Sequence, residues 1–276
     1  MSEDLEQRDA EGRTPLMRAC EEGDLEQVQR LIDKGANIGP EAILEAAWKG
    51  HAAIVELLIR AGAYINDNQA GRGTTALILA SREGHVDVVD CLLSLEANVE
   101  LIDEYGHTAL MWACEKERID VVDRLLAAGC NVNAQDYLGS NALEDAARVG
   151  SVPIIDRLVV HGADFNHQNQ SGENALMIAS MEGHIEAVDR LLSLGCDVNL
   201  QDEDDGRTSL MWACSEGKID IVRLLLDHGA DPFLWDRRGF CAIDLTRWSP
   251  EIQTLLEGLI LLSFHHHRKE HQSKKE

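Results

Sequence analysis

Residues 108–133 read TALMWACEKERIDVVDRLLAAGCNVN, and they contain one complete structural unit. Just before them, Asp103, Glu104, Tyr105 and Gly106 carry the preferences of a type I turn, with Asp first and Gly fourth. Thr108 is suited to cap a short helix in which Ala109, Ala113 and Cys114 leave room for a close neighbour. Ile119, Val122, Leu125 and Leu126 fall on one face of a second helix. Gly129 suits the end of that helix, where the backbone turns left-handed. A turn and two short helices cannot bury this apolar surface alone, so the unit needs copies beside it.

The copies are present. Leu110 recurs as Leu143, Leu176 and Leu210, in steps of 33, 33 and 34 residues. The motif around it reads TPLMRAC from Thr14, EAILEAA from Glu41, TALILAS from Thr75 and TALMWAC from Thr108. It continues as NALEDAA from Asn141, NALMIAS from Asn174, TSLMWAC from Thr208 and a degenerate CAIDLTR from Cys241. Phasing and motif together resemble the ankyrin repeat, a turn plus two helices with a T-P-L-H-x-A signature. The resemblance implies an all-α solenoid of helix pairs with short β-turn fingers. It divides residues 1–262 into repeats at about 6–38, 39–66, 67–100, 101–133, 134–166, 167–199 and 200–233, with 234–262 as a C-terminal cap. Residues 263–276 form a basic, His-rich tail with too few apolar side chains to fold alone, and read as disordered.

Several repeats depart from the pattern. Leu16 and Ile43 are 27 residues apart, so the second finger is clipped, and Gly39-Pro40 stands where a full turn would be. Gly71, Arg72 and Gly73 supply the third turn; Glu96 and Glu117 occupy positions where glycine is usual, and Glu96 predicts an irregular end to the third outer helix. Pro153 opens the fifth outer helix at a tolerated first-turn position. A longer period overlies the first: Thr108 to Thr208 and Glu41 to Asn141 are each 100 residues, and Thr75 to Asn174 is 99. Duplication of a three-repeat block explains this spacing.

Charge narrows the class of partner. The net charge is −24, and the tail from His265 holds four basic and two acidic residues, so the rest carries −24 − 2 = −26. Such a surface repels phosphate backbones, which argues against nucleic acid, and suits either a basic partner protein or solubility alone. The acidic start lacks the apolar core of a signal peptide, and the apolar run Leu255–Phe264 is about half the length of a membrane span. Seven cysteines, an odd number, fall largely in repeated small-residue slots, with no disulfide framework. This composition predicts a monomer of the cytosol or nucleus, with no membrane partner.

No catalytic set, cofactor motif or metal site emerges. His51, His85 and His184 share one position at the start of outer helices and read as structural. Asp202–Gly206 superficially resembles a calcium loop, but Ala213 stands where the closing Glu is required.

Recognition is the better prospect, since the resemblance implies binding through turn tips and inner-helix surfaces lining a concave groove. On that basis Tyr105, Trp112, Tyr137, Arg148, Met181 and Trp212 are the candidate partner-binding residues, centred on repeats four to seven, with Leu138 and Arg237 as further turn-tip residues. Trp112 stays open between a partly exposed and a core position. The resemblance also implies possible hydroxylation of Asn166 and Asn199, each ending an L-x5-D-apolar-N stretch. The expected function is a non-enzymatic interaction scaffold or adaptor. Its alternatives are a regulatory or inhibitory subunit covering an enzyme's active site, and metal or polyanion binding through the His-rich tail.

Overall fold

A computed structural model describes residues 5–68, 73–246 and 249–259. The Gly71-Arg72 turn, the end of the late apolar run and the 263–276 tail lie outside the described residues. Among the described residues the secondary structure is entirely helical. Inner and outer helices alternate as α1 (Pro15–Glu22) and α2 (Leu25–Asp33), α3 (Pro40–Lys49) and α4 (Ala52–Arg60), then α5 (Ala76–Glu83) and α6 (Val86–Ser94). They continue as α7 (Ala109–Glu115) and α8 (Ile119–Ala127), α9 (Ala142–Val149) and α10 (Val152–Val160), α11 (Ala175–Glu182) and α12 (Ile185–Ser193), and α13 (Ser209–Ser215) and α14 (Ile219–Asp227). A 3-10 turn, Ala242–Leu245, and a helical stretch at 250–259 follow.

Most inner helices begin where the sequence supplies a side-chain cap. The hydroxyls of Thr14, Thr75, Thr108 and Thr208 accept from the amides of Met17, Ile78, Met111 and Met211, and Asn174 does the same for Met177. Repeat two lacks such a side chain and starts α3 on Pro40, whose fixed φ replaces the cap. The chain reaches α3 without an intervening finger, as the missing residues require.

The described chain forms two compact units, one of residues up to Asp145 plus Asp156–Ala163, the other of Ala146–Ile155 plus residues from Asp164 onward. In the first, α1, α3, α5 and α7 pack side by side in order, and α2, α4, α6 and α8 form a second layer against them. Ala46, Ala80 and Ala113 are fully buried at these inner contacts, where their small size lets backbones approach. In the second unit α11 packs on α13 and α12 on α14, and the Ala242–Leu245 turn closes over α13. The outer layers bury two to four apolar side chains per helix, among them Val89 and Leu92, Val122 and Leu125, and Val188 and Leu191, all fully buried. On α8, Val121 is buried and Ile119 only half-buried, so the packed face is rotated slightly from the sequence expectation.

The doubt over the third helix end is resolved in favour of regularity. Glu96 takes φ +63° and Glu117 φ +55°, both in the left-handed region. The Ala97 amide still bonds to the Leu92 carbonyl at 3.0 Å, as the Cys196 amide bonds to Leu191 in the glycine-containing sixth repeat at 3.2 Å. Ala97, buried just after Glu96, fixes the backbone, and Glu96 takes up the left-handed strain.

Candidate partner-binding surface

In the first unit the fourth finger is built around one carboxylate. Asp103 is buried, and its Oδ1 accepts the amides of Tyr105 and His107, both at 2.9 Å. Its Oδ2 accepts the indole Nε1–H of Trp112 at 2.7 Å. The turn is thus tied to the inner helix that follows it. The His107 ring packs edge-on against Trp112 at 5.1 Å, and its Nε2 lies 3.2 Å from Oδ2 of Asp136 in the next finger. Arg82 and Lys116 each place a cation 5.5 Å from the Trp112 ring.

The fifth finger docks directly on the fourth. The Tyr137 amide donates to the Tyr105 carbonyl at 3.2 Å. Gly106, at φ +86°, permits this approach: a Cβ there would stand 2.7 Å from the Tyr137 nitrogen. Both tyrosine rings are left in solvent, Tyr105 at 56% and Tyr137 at 61% exposure, with Leu138 beside them at 69%. Between the fingers lies a cleft of about 380 Å³, lined by Glu104, Tyr105, His107, Asp136, Tyr137 and Leu138.

The second unit repeats the arrangement about 100 residues later with different chemistry. Asp202 Oδ1 accepts the amides of Asp205, Gly206 and Arg207, and Oδ2 accepts Trp212 Nε1–H at 3.0 Å. Asp202 thus closes its own turn as Asp103 does in the fourth finger. Arg207 stands where His107 does in the first unit; its guanidinium lies 4.7 Å over the Trp212 ring, and its Nε is 4.0 Å from the buried Asp236 Oδ2.

The sequence-derived candidates therefore divide. Tyr105 and Tyr137 come together at adjacent fingertips. Trp112 and Trp212 are half-buried, with the indole N–H committed to their own finger, and act as braces. Arg148 is exposed and Met181 half-buried in the second unit. One exposed cluster there escaped the sequence reading: Phe233, Trp235 and Phe240 are 45%, 64% and 40% exposed in the eighth finger. Its signal was the aromatic density of FLWDRRGF at 233–240, hidden because the repeat signature degenerates after it.

The singled-out histidines are structural. The Nε2 atoms of His51, His85 and His184 sit 3.2, 2.8 and 2.9 Å from the carbonyls of Glu21, Trp48 and Arg148, each closing the preceding inner helix. Arg118 takes the same place in repeat four, its Nε donating to the Arg82 carbonyl at 3.1 Å. Asn166 and Asn199 use their amide oxygens to accept the backbone N–H of Asp197 and Asp231 in the following repeats.

All seven cysteines are thiols, and burial pushes Cys20, Cys196 and Cys214 up to about 12. Among the described residues no group of three or more His, Cys, Asp or Glu could hold a metal ion, and no helix is long and apolar enough to cross a membrane.

Comparison with known proteins agrees with this architecture. A family model described as "Ankyrin repeats (3 copies)" matches residues 43–136 and 143–236, and one described as "Ankyrin repeat" matches 11–40. Human "Ankyrin repeat domain-containing protein 63" is 36% identical over 94 residues, 31% of this chain and 25% of that protein. "Probable E3 ubiquitin-protein ligase XBOS32" of Oryza sativa subsp. japonica is 35% identical over 96 residues, 32% of this chain and 19% of that protein. These matches span a quarter or less of the relatives' lengths. Among solved structures, the human ASB11 ankyrin repeat domain superposes with a TM-score of 0.69 at 24% identity, covering 77% of this chain and 94% of that one.

Proposed function

Because the chain belongs to the ankyrin-repeat family, whose repeats serve generally as protein–protein interaction modules, we propose that it is a non-enzymatic scaffold or adaptor. Its fingertips and inner-helix surfaces would receive a partner protein that carries a basic surface or segment. The observation that carries this reading is the pair of solvent-facing tyrosines, Tyr105 and Tyr137, on two hydrogen-bonded fingers within a strongly acidic chain. Aromatic side chains held rigid by the backbone lose little entropy on binding and concentrate affinity at interface centres. The surrounding carboxylates steer a basic partner during encounter. Seven unpaired thiols fit a reducing compartment, the cytosol or nucleus.

The test compares proteins retained from a cell extract by the full chain with those retained by a Tyr105→Ala/Tyr137→Ala variant. Proteins with basic segments, retained by the first and lost by the second, support the proposal. Identical retained sets contradict it.

A further inference from the structure

We propose that the cleft between the fourth and fifth fingertips is an anchor pocket for one arginine side chain of the partner. This rests on the partner-binding reading above and names what that partner must bring.

The shape comes first. At about 380 Å³ the cleft is near the lower end of small-molecule sites and suits one long side chain. Tyr105, Tyr137 and Leu138 supply most of the apolar side chains that line it. The backbones that carry these residues are held together by the Tyr137 amide bond to the Tyr105 carbonyl and the close passage over Gly106. The two finger backbones are therefore preorganised relative to each other, which removes part of the entropic cost of filling the cleft.

Charge then selects the occupant. Residues 100–140 hold eight carboxylates against three lysines and arginines. Two of those carboxylates line the cleft itself, Glu104 exposed and Asp136 more deeply set. Asp136 already accepts the amides of Leu138 and Ser140 on Oδ1 and faces His107 on Oδ2, so it acts through its field. An aliphatic side chain would satisfy the walls and leave this negative potential unused. A cation with an apolar stem uses both. Guanidinium is favoured over ammonium because it is planar, stacks on tyrosine rings and gives up its hydration more readily.

The experiment pans a displayed library of random twelve-residue peptides against the full chain. The tightest peptide is then resynthesised with each arginine replaced in turn by citrulline, lysine or norleucine. Binding of every peptide is measured by fluorescence anisotropy to the wild-type chain and to Tyr105→Ala, Tyr137→Ala and Glu104→Gln. The proposal expects one arginine at which citrulline and norleucine each weaken binding about tenfold. Lysine should weaken it less, and the loss should largely vanish in the Tyr105→Ala background.

Norleucine binding as well as arginine overturns the proposal, as does an arginine loss that persists undiminished in Tyr105→Ala. So does a selection in which no peptide depends on either tyrosine. If such peptides instead lose binding on Arg148→Ala or Met181→Ala, the arginine pocket fails while the scaffold reading stands.

Discussion

The indole Nε1–H of Trp112 donates to Oδ2 of Asp103 across nine residues, at 2.7 Å, and joins a turn to the helix behind it. Trp212 and Asp202 repeat the bond at 3.0 Å. In both fingers the other carboxylate oxygen holds the turn's own amides, so one side chain closes the loop and fixes its orientation. Preorganised fingertips are the physical requirement of the proposed function.

Asp103→Ala should destabilise the protein by about 2–3 kcal/mol, since three N–H groups lose a charged acceptor at a buried position. Trp112→Phe keeps a ring in place but leaves Oδ2 without its donor, and should cost less, about 1–2 kcal/mol. Urea denaturation followed by far-UV circular dichroism measures both. Equal stability of wild type and Asp103→Ala would remove the carboxylate from the fold's support.

Glu96→Gly and Glu117→Gly should each stabilise the chain by about 1 kcal/mol, because each glutamate sits exposed at positive φ where glycine is unstrained. The two sites share no partner in the structure's hydrogen bonds, so their effects should add in the double variant. A lower urea midpoint in either single variant would mean that the glutamate side chain contributes more than its backbone strain costs.

Stability should fall as pH rises from about 9 toward 12. Cys20, Cys196 and Cys214 are pushed by burial from 9.0 up to about 12, and Cys130 to about 11. Below pH 9 both folded and unfolded chains keep these protons. Above it the unfolded chain loses them first, so it binds fewer protons and is progressively favoured. Cys20→Ala should show a shallower decline in urea midpoint between pH 8 and 11 than wild type. The same slope in both would show that this thiol does not contribute.

The periodic features were legible in sequence. Leu110 and its copies fix the repeat, and the threonine caps and the apolar pairs of the outer helices follow from local chemistry. Relationships across turns were not. Trp112 could be read as core or as exposed until its N–H partner was located, because periodicity places the Cα and leaves the indole's direction open. Glu96 suggested a disturbed helix end, since propensity counts the residue's cost but not the packing of Ala97 that overrides it. The eighth finger's Trp235 was passed over because the signature around Cys241 is degenerate, although the aromatic run itself was visible. Likewise, the candidate set centred on repeats four to seven mixed two roles: the tyrosines are surface features, and the tryptophans hold those surfaces in place.

The scaffold account is tested most directly by surface plasmon resonance with a partner retained from cell extract, comparing the full chain with Tyr105→Ala/Tyr137→Ala. The account expects dissociation to accelerate at least about tenfold, with association nearly unchanged and the thermal midpoint unmoved. Raising the salt should slow association for both proteins as the carboxylates are screened. Unaltered dissociation in the double variant, with binding abolished instead by removal of residues 263–276, would contradict the account and transfer recognition to the tail.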